Sequence, residues 1–274
     1  GEKKMTFEEF CSKTGMSEEL SKELTETVSA LPLASFEEEL SMMMGKTAPL
    51  NGVLSLMQKL GKDEHGKKML ALQVECARRN GERYAALGIG EDVYLATMGC
   101  FARFAEEYRQ KHGVWGFDCP WWAYRQLNLS IFRIGAYEFE LEESGRVGLH
   151  IPSGESISPE AVGAGISAFR RFALAHFPAW AEAPVGCHSW LLSPRLTPFL
   201  KETSHILAFQ RLFVLQKDFP EERQYLGFLF GRGEDTPTGE LPERTSLQRA
   251  VKAYLLAGGN VGAAYGIFQP GGKI

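Results

Sequence analysis

The chain has 274 residues, 44% of them hydrophobic and 23% charged, and a formal net charge of −4. That length suits two domains of ordinary size, and the composition excludes a disordered or fibrous chain. An acidic balance offers no concentrated basic surface, so no nucleic-acid partner is expected.

Helical signals fill the first 112 residues. Thr6-Phe-Glu-Glu9 and Ser35-Phe-Glu-Glu38 have capping-box form, a hydroxyl followed three residues later by a carboxylate. Ser17 suits the cap of a helix that ends before Pro32. Met69, Leu72, Val74, Ala77 and Tyr84 lie near helical spacing, which predicts one helix from Asp63 to about Leu87, broken by Gly88-Ile-Gly90. A further stripe through Val93, Ala96, Met98, Phe101, Phe104 and Tyr108 predicts a helix ending near Gly113. All eight methionines precede residue 100, which suits adaptable core filling or, as the alternative, an adaptable ligand or partner surface.

The pattern changes after Trp115-Gly-Phe-Asp-Cys-Pro-Trp-Trp122. Leu129–Ile134, Tyr137–Glu142 and Arg146–Ile151 read as three short antiparallel strands. In the second, Tyr137, Phe139 and Leu141 alternate with Glu138, Glu140 and Glu142, which predicts a strand whose glutamate face is solvated. Ser158-Pro-Glu160 opens a helix with an N-cap, a proline at the first helical position and an early acid. A strand over Val185–Leu192 and a short helix over Pro194–Leu200 follow. Ile206–Leu215 and Tyr225–Phe230 are predicted to form a hairpin, Arg232 to Pro242 a loop, Thr245–Leu256 a helix and Val261–Phe268 a last strand. The expectation is α/β (α+β): an all-helical domain over 1–122, then a mixed β-sheet domain over 123–274.

Five dispersed cysteines, Cys11, Cys76, Cys100, Cys119 and Cys187, are odd in number and lack CxxC spacing. They read as reduced thiols in a reducing compartment. The six histidines show no ligand spacing, so no metal is expected. No apolar run nears the roughly 20 residues of a membrane span, and Gly1-Glu-Lys-Lys-Met-Thr6 does not resemble a signal-peptide core. A cytoplasmic protein without membrane partners is expected, and its oligomeric state is left open.

The order of elements after residue 122 resembles the GCN5-related (GNAT-like) acyltransferase core from its second strand onward. His150-Ile-Pro-Ser-Gly154, Ser158-Pro-Glu-Ala-Val162, Cys187-His-Ser-Trp-Leu-Leu-Ser-Pro194 and Leu207-Ala-Phe-Gln-Arg-Leu-Phe213 resemble blocks of bacterial acyltransferase-domain proteins. That group pairs a helical N-terminal domain with a GNAT-like C-terminal one. The resemblance implies that Arg146–Ile151 and Val185–Leu192 splay apart, and that the pantetheine arm of acetyl-CoA or another acyl-CoA fills the gap. It places Ile151 beside that arm, and Ser153, Gly154, Ser156, Ser158 and Gly163 around the pyrophosphate, at a helix start whose dipole favours anions. The Gln/Arg-x-x-Gly-x-Gly/Ala phosphate signature of the superfamily is absent, and Glu155 carries the wrong sign for a phosphate.

Acyl transfer to an amine needs a base, and histidine titrates near neutral pH. His188, in the fifth-strand counterpart, and His150, at the end of the fourth, are therefore the candidate catalytic residues. The competing reading of His188 is a half-buried histidine satisfied by a backbone carbonyl. Cys187 and His188 point to opposite faces of a strand, so they do not pair with each other. Tyr225 and Tyr265 sit where a phenol would serve as general acid or pack the core. Trp115, Phe117, Trp121 and Trp122 read as an interdomain seam or an acceptor wall. The expected activity is acyl transfer from coenzyme A to a small-molecule acceptor. The rival is a non-catalytic ligand- or partner-binding protein on a degenerate scaffold.

Overall fold

In the computed structural model, which describes residues 4–269, Thr6 and Glu9 close a reciprocal cap on helix α1 (Phe7–Lys13). Ser17 caps α2 (Glu18–Ala30). The cap expected at Ser35 does not form. A 3₁₀ turn over Leu33–Phe36 leads into α3 (Glu37–Met44), which starts with no side-chain cap. Next come α4 (Pro49–Leu60) and α5 (Lys67–Arg79).

The single helix expected over Asp63–Leu87 is broken at both ends. Asp63 accepts the backbone N–H groups of Lys68 and Met69 at 2.8 and 2.9 Å, so α5 is capped from before its start. His65 and Gly66 take left-handed conformations there, and the Phe117 carbonyl occupies the place a Cβ on Gly66 would need. After Asn80 the chain restarts as α6 (Gly81–Ala86). The next stripe likewise divides into α7 (Glu91–Met98) and α8 (Cys100–His112) at Gly99, where a Cβ would lie 3.3 Å from the Ala96 carbonyl. Helix α9 (Pro120–Leu127) and strand β1 (Ile131–Ile134) follow.

Contacts divide the chain into two compact units, with the boundary between Ile134 and Gly135. Helix α5 is the centre of the first. Every residue from Met69 to Ala77 is buried, because α1, α2, α3, α4 and α9 all pack against it. Its polar residues are largely tied down: the Gln73 amide N–H donates to the Pro120 carbonyl while its buried Oε1 has no partner among the described residues, and Glu75 accepts from Arg78 and Arg79. Met16, Met43, Met69 and Met98 fill this core. Phe117 packs on Phe101 and Phe104, while Trp115 and Trp122 lie under Arg109 and Arg125.

In the second unit β2 (Tyr137–Leu141) and β3 (Val147–His150) pair antiparallel, and α10 (Pro159–His176) leads to β4 (Val185–Ser189), parallel to β3. After α11 (His205–Gln210) come β5 (Phe213–Phe219), α12 (Ser246–Leu256) and β6 (Ala263–Phe268). The strand order in this unit is β2-β3-β4-β6-β5. Helix α10 covers one sheet face: Phe169 stacks on Phe139 at 4.7 Å, and Gly165 admits the Tyr137 ring, which would lie 2.4 Å from a Cβ there.

The hairpin expected from Ile206–Leu215 and Tyr225–Phe230 is absent. Ser204 accepts the N–H groups of Ile206 and Leu207, which caps α11 and makes the first half of that segment helical. Leu226–Phe230 is a π-helical turn stopped by left-handed Gly231. Tyr225, Leu226 and Phe230 join Leu196, Leu241, Val251, Leu255 and Val261 in a second apolar core. The partner of β5 is β6.

Candidate active site

Strand alternation and register fix which side chains share a face. Val147 and Leu149 stand opposite Leu141 and Phe139, and Val147 also pairs with Val185, so Cys187 faces α10 with them. Gly148, His150, Gly186 and His188 point to the other face, where Tyr265 is the partner of His188 across the β4/β6 ladder.

The β3/β4 ladder covers only Val147–Gly148 and Val185–Gly186, whereas β4 stays paired with β6 as far as Ser189. From Leu149 and Cys187 onward the two parallel strands therefore separate. Both residues at the point of separation are glycines. A Cβ on Gly186 would lie 2.0 Å from Tyr265 Oη, so only glycine lets the phenol lie across the strand there. That hydroxyl is buried and has no hydrogen-bond partner among the described residues. The Arg146 guanidinium lies 5.7 Å from the Tyr265 ring.

Two histidine–carboxylate pairs occupy this face. His150 Nε2 lies 2.8 Å from Glu140 Oε2, and His188 Nε2 lies 2.9 Å from Glu222 Oε2. The His188 ring also stacks on Phe219 at 4.4 Å, and its side chain remains 43% exposed. Glutamates of β2 are not uniformly solvated as alternation predicted. Glu138 is 5% exposed, and Glu140 is held by His150. Burial pushes the Cys187 thiol up to about 12, which removes it as a nucleophile near neutral pH. Tyr225 donates to Asn260 from within the second core, so its phenol is occupied.

The predicted phosphate-loop residues follow β3. Ile151 is half-buried, Ser153, Gly154 and Ser156 are exposed, and Gly154 is left-handed. Tyr137 pins the loop by donating to the Ser156 carbonyl at 2.6 Å. Ser158 caps α10 through the Ala161 N–H, and Val162 donates to the Ser158 carbonyl. Pro159 has no N–H, so the cap leaves Glu160 as the donor at the helix start. Gly163 has open space where a Cβ would be. It lines a cleft of about 510 Å³ that runs along α10 from Pro159 and Glu160 through Ile166 to Arg170, with Leu212 and Phe268 opposite. Within it Arg170 is tied to the Ala181 carbonyl at 2.7 Å.

Sequence reasoning singled out His188 and His150, and both lie on one face of the separating strands. It passed over Glu222, 34 positions from His188, which local pattern does not connect to it. Gly186 was legible in principle, because a lone glycine inside a strand signals a close approach.

Residues 126–268 match the family model described as a GNAT-like C-terminal domain, and residues 5–129 that of an N-acyltransferase N-terminal domain. No curated protein matches the chain. Among solved structures, an acyltransferase in complex with decanoyl-CoA and teicoplanin is similar with a TM-score of 0.79 at 24% identity, over 96% of this chain and 87% of that one. A mutant acyltransferase in complex with octanoyl-CoA aligns with a TM-score of 0.75, at 24% identity over 96% and 87% of the two chains. An acyltransferase in complex with CoA and 10C-teicoplanin gives 0.68 at 22% identity, over 97% and 99%. At these identities the likeness shows a shared fold.

Proposed function

Because this chain belongs to the GNAT-like C-terminal domain family, we propose that it moves an acyl group from a coenzyme A thioester to a small-molecule amine. The observation that carries the proposal is the opening of the β3/β4 ladder at Gly148 and Gly186, beneath an unpartnered tyrosine hydroxyl. Strands that separate leave backbone N–H and C=O groups along the gap, and an amide-bearing pantetheine arm pairs with such groups as a further strand would. The cleft along α10 and the loop 153–158 lie on the donor side, and the histidine pairs on the other. The gap is then the passage through which the thioester reaches the acceptor.

At that point the amine nitrogen attacks the thioester carbonyl and gives up its proton to His188, while the C–S bond breaks. The departing thiolate takes a proton from Tyr265 Oη, the unpaired donor beside Gly186. The imidazolium returns a proton through solvent to the phenolate. Electrons and protons balance, and no covalent enzyme intermediate is needed. His150, held by Glu140, lies on the acceptor side, where its pair shapes the approach of the amine. Acyl chains of the length bound by the similar structures, octanoyl and decanoyl, are the first donors to try.

The non-catalytic alternative draws on Glu155 and Glu160, two acids at the start of α10 where a pyrophosphate would sit. Thermal shift separates the readings, because a ligand that binds only the folded state stabilises it by about 2.7 kcal/mol at a hundred-fold excess over Kd. Coenzyme A, acetyl-CoA and decanoyl-CoA are expected to raise Tm, and Glu155→Gln to enlarge the shift. His188→Ala is expected to lower turnover roughly 10²–10⁴-fold with little change in KM. A melting curve unmoved by all three ligands, in wild type and Glu155→Gln alike, would overturn the acyltransferase reading.

A further inference from the structure

The carboxylate that holds His188 comes from a loop that is itself fastened from elsewhere. Glu222 lies in the connection after β5, and its Oε2 accepts from His188 Nε2 at 2.9 Å. The backbone of that loop is clamped by one side chain, Asn260, which precedes β6. Asn260 Nδ2 donates to the Pro220 carbonyl at 2.6 Å and to the Glu222 carbonyl at 3.1 Å. The Asn260 amide is fixed in turn, because the Tyr225 hydroxyl donates to its Oδ1 at 2.5 Å. On its other side His188 is held by the Phe219 ring, stacked at an interplanar angle of 19°. Tyr265 is the ladder partner of His188, Lys217 pairs with Tyr265 in turn, and the Lys217 ammonium lies 4.9 Å from the Phe219 ring.

We propose that Asn260 and Glu222 are positioning residues that set the tautomer of His188: Tyr225 fixes Asn260, Asn260 fixes the loop, and Glu222 draws the proton of His188 onto Nε2. The proposal rests on the acyltransferase reading, in which Nδ1 must carry the lone pair that takes the amine's proton. A carboxylate only accepts hydrogen bonds, so it stabilises the Nε2–H form. An amide in its place can either accept from Nε2–H or donate to a bare Nε2, so the ring proton is no longer confined to Nε2 and the Nδ1–H form, which lacks the base, becomes populated. None of the three touches the reacting atoms, and their effect passes through the histidine alone.

Imidazole ¹⁵N shifts of His188 in the ligand-free protein report the tautomer directly and do not depend on turnover. Wild type is expected to show the Nε2–H pattern and Glu222→Gln a shift towards Nδ1–H. Glu222→Gln is expected to lower kcat on the order of 10²-fold or more, with KM for donor and acceptor within two-fold of wild type. Asn260→Ala is expected to give a mixed tautomer pattern and a smaller fall in kcat, and Tyr225→Phe a smaller one again. Glu222→Asp is expected to retain the Nε2–H pattern and to recover part of the rate. Glu222 is partly exposed, so its variants leave the fold intact, and coincident urea curves check this. If Glu222→Gln keeps the Nε2–H pattern and a kcat within two-fold of wild type, the positioning role is wrong. If instead His188→Ala itself turns over normally, it is the acyltransferase assignment of His188 that fails, and the ¹⁵N result still decides what Glu222 and Asn260 do to the ring.

Discussion

Tyr265 concentrates the tension between stability and function at a single residue. A buried hydroxyl without a partner costs roughly 1–3 kcal/mol of desolvation, and Tyr265 Oη is such an atom. It lies where a bulkier residue than Gly186 would have displaced it. Tyr265→Phe removes the orphaned group and keeps the ring that packs against β4. Urea denaturation is therefore expected to show a variant as stable as wild type or more so, while kcat for acyl transfer falls at least about ten-fold, as for a lost general acid. A variant that loses stability and keeps its rate would make Tyr265 a packing residue. Cys187 shows the opposite arrangement at the neighbouring position, since its thiol faces α10 and burial holds it neutral. Adjacent residues on β4 thus divide between core and chemistry by strand parity alone.

Among the elements, α5 has the least usual composition for its position, a helix buried along nine consecutive residues that still carries Gln73 and Glu75. Burial opposes the ionisation of Glu75, but hydrogen bonds from Arg78 and Arg79 outweigh it and hold the carboxyl below the usual carboxylate range. Arg79 reaches on to Glu37, so the cluster also ties α5 to α3. A carboxyl whose folded pKa is depressed contributes stability that is fully present above its ordinary range. That contribution is lost as pH falls through the ordinary range towards the folded value. The urea midpoint of the first unit is expected to drop between about pH 6 and pH 3. Glu75→Gln is expected to lower the midpoint at neutral pH and to flatten that acid dependence, and an unchanged slope would remove Glu75 as its source. Helix α10 distributes its polar work differently, with Ser158 capping its start and Arg170 joining it to the segment before β4.

For the molecule as a whole, chain order and spatial order part company in the second unit, where β6 lies between β4 and β5 although it is last in sequence. Residues 232–235 form an exposed loop ahead of α12 and β6, the kind of segment proteases nick first. Brief trypsin treatment is expected to cut after Arg232, yet the piece from Gly233 onward should co-elute with the remainder on size exclusion, because β6 is paired on both edges. Separation should need urea, and dissociation under native conditions would contradict the strand order. Periodicity and caps were enough to determine a helical first part, the strand–helix–strand run from Tyr137 to Ser189 and the capped starts of α1, α2 and α10, because those signals lie within a few residues of one another. The resemblance carried by the blocks around His150, Ser158 and His188 gave the family, which the match over 126–268 shows. Tertiary structure decided that Leu226–Phe230 turns into a second core and that β5 meets β6, whereas the helix over His205–Gln210 has a local signal in its Ser204 cap that the apolar run obscured. An apolar run of that length is compatible with either period until its packing partners choose. The same holds for the site: alternation placed His188 and Cys187 on opposite faces, but Glu222, Asn260 and Gly186 acquire meaning only where the folded chain brings them to the histidine and the phenol.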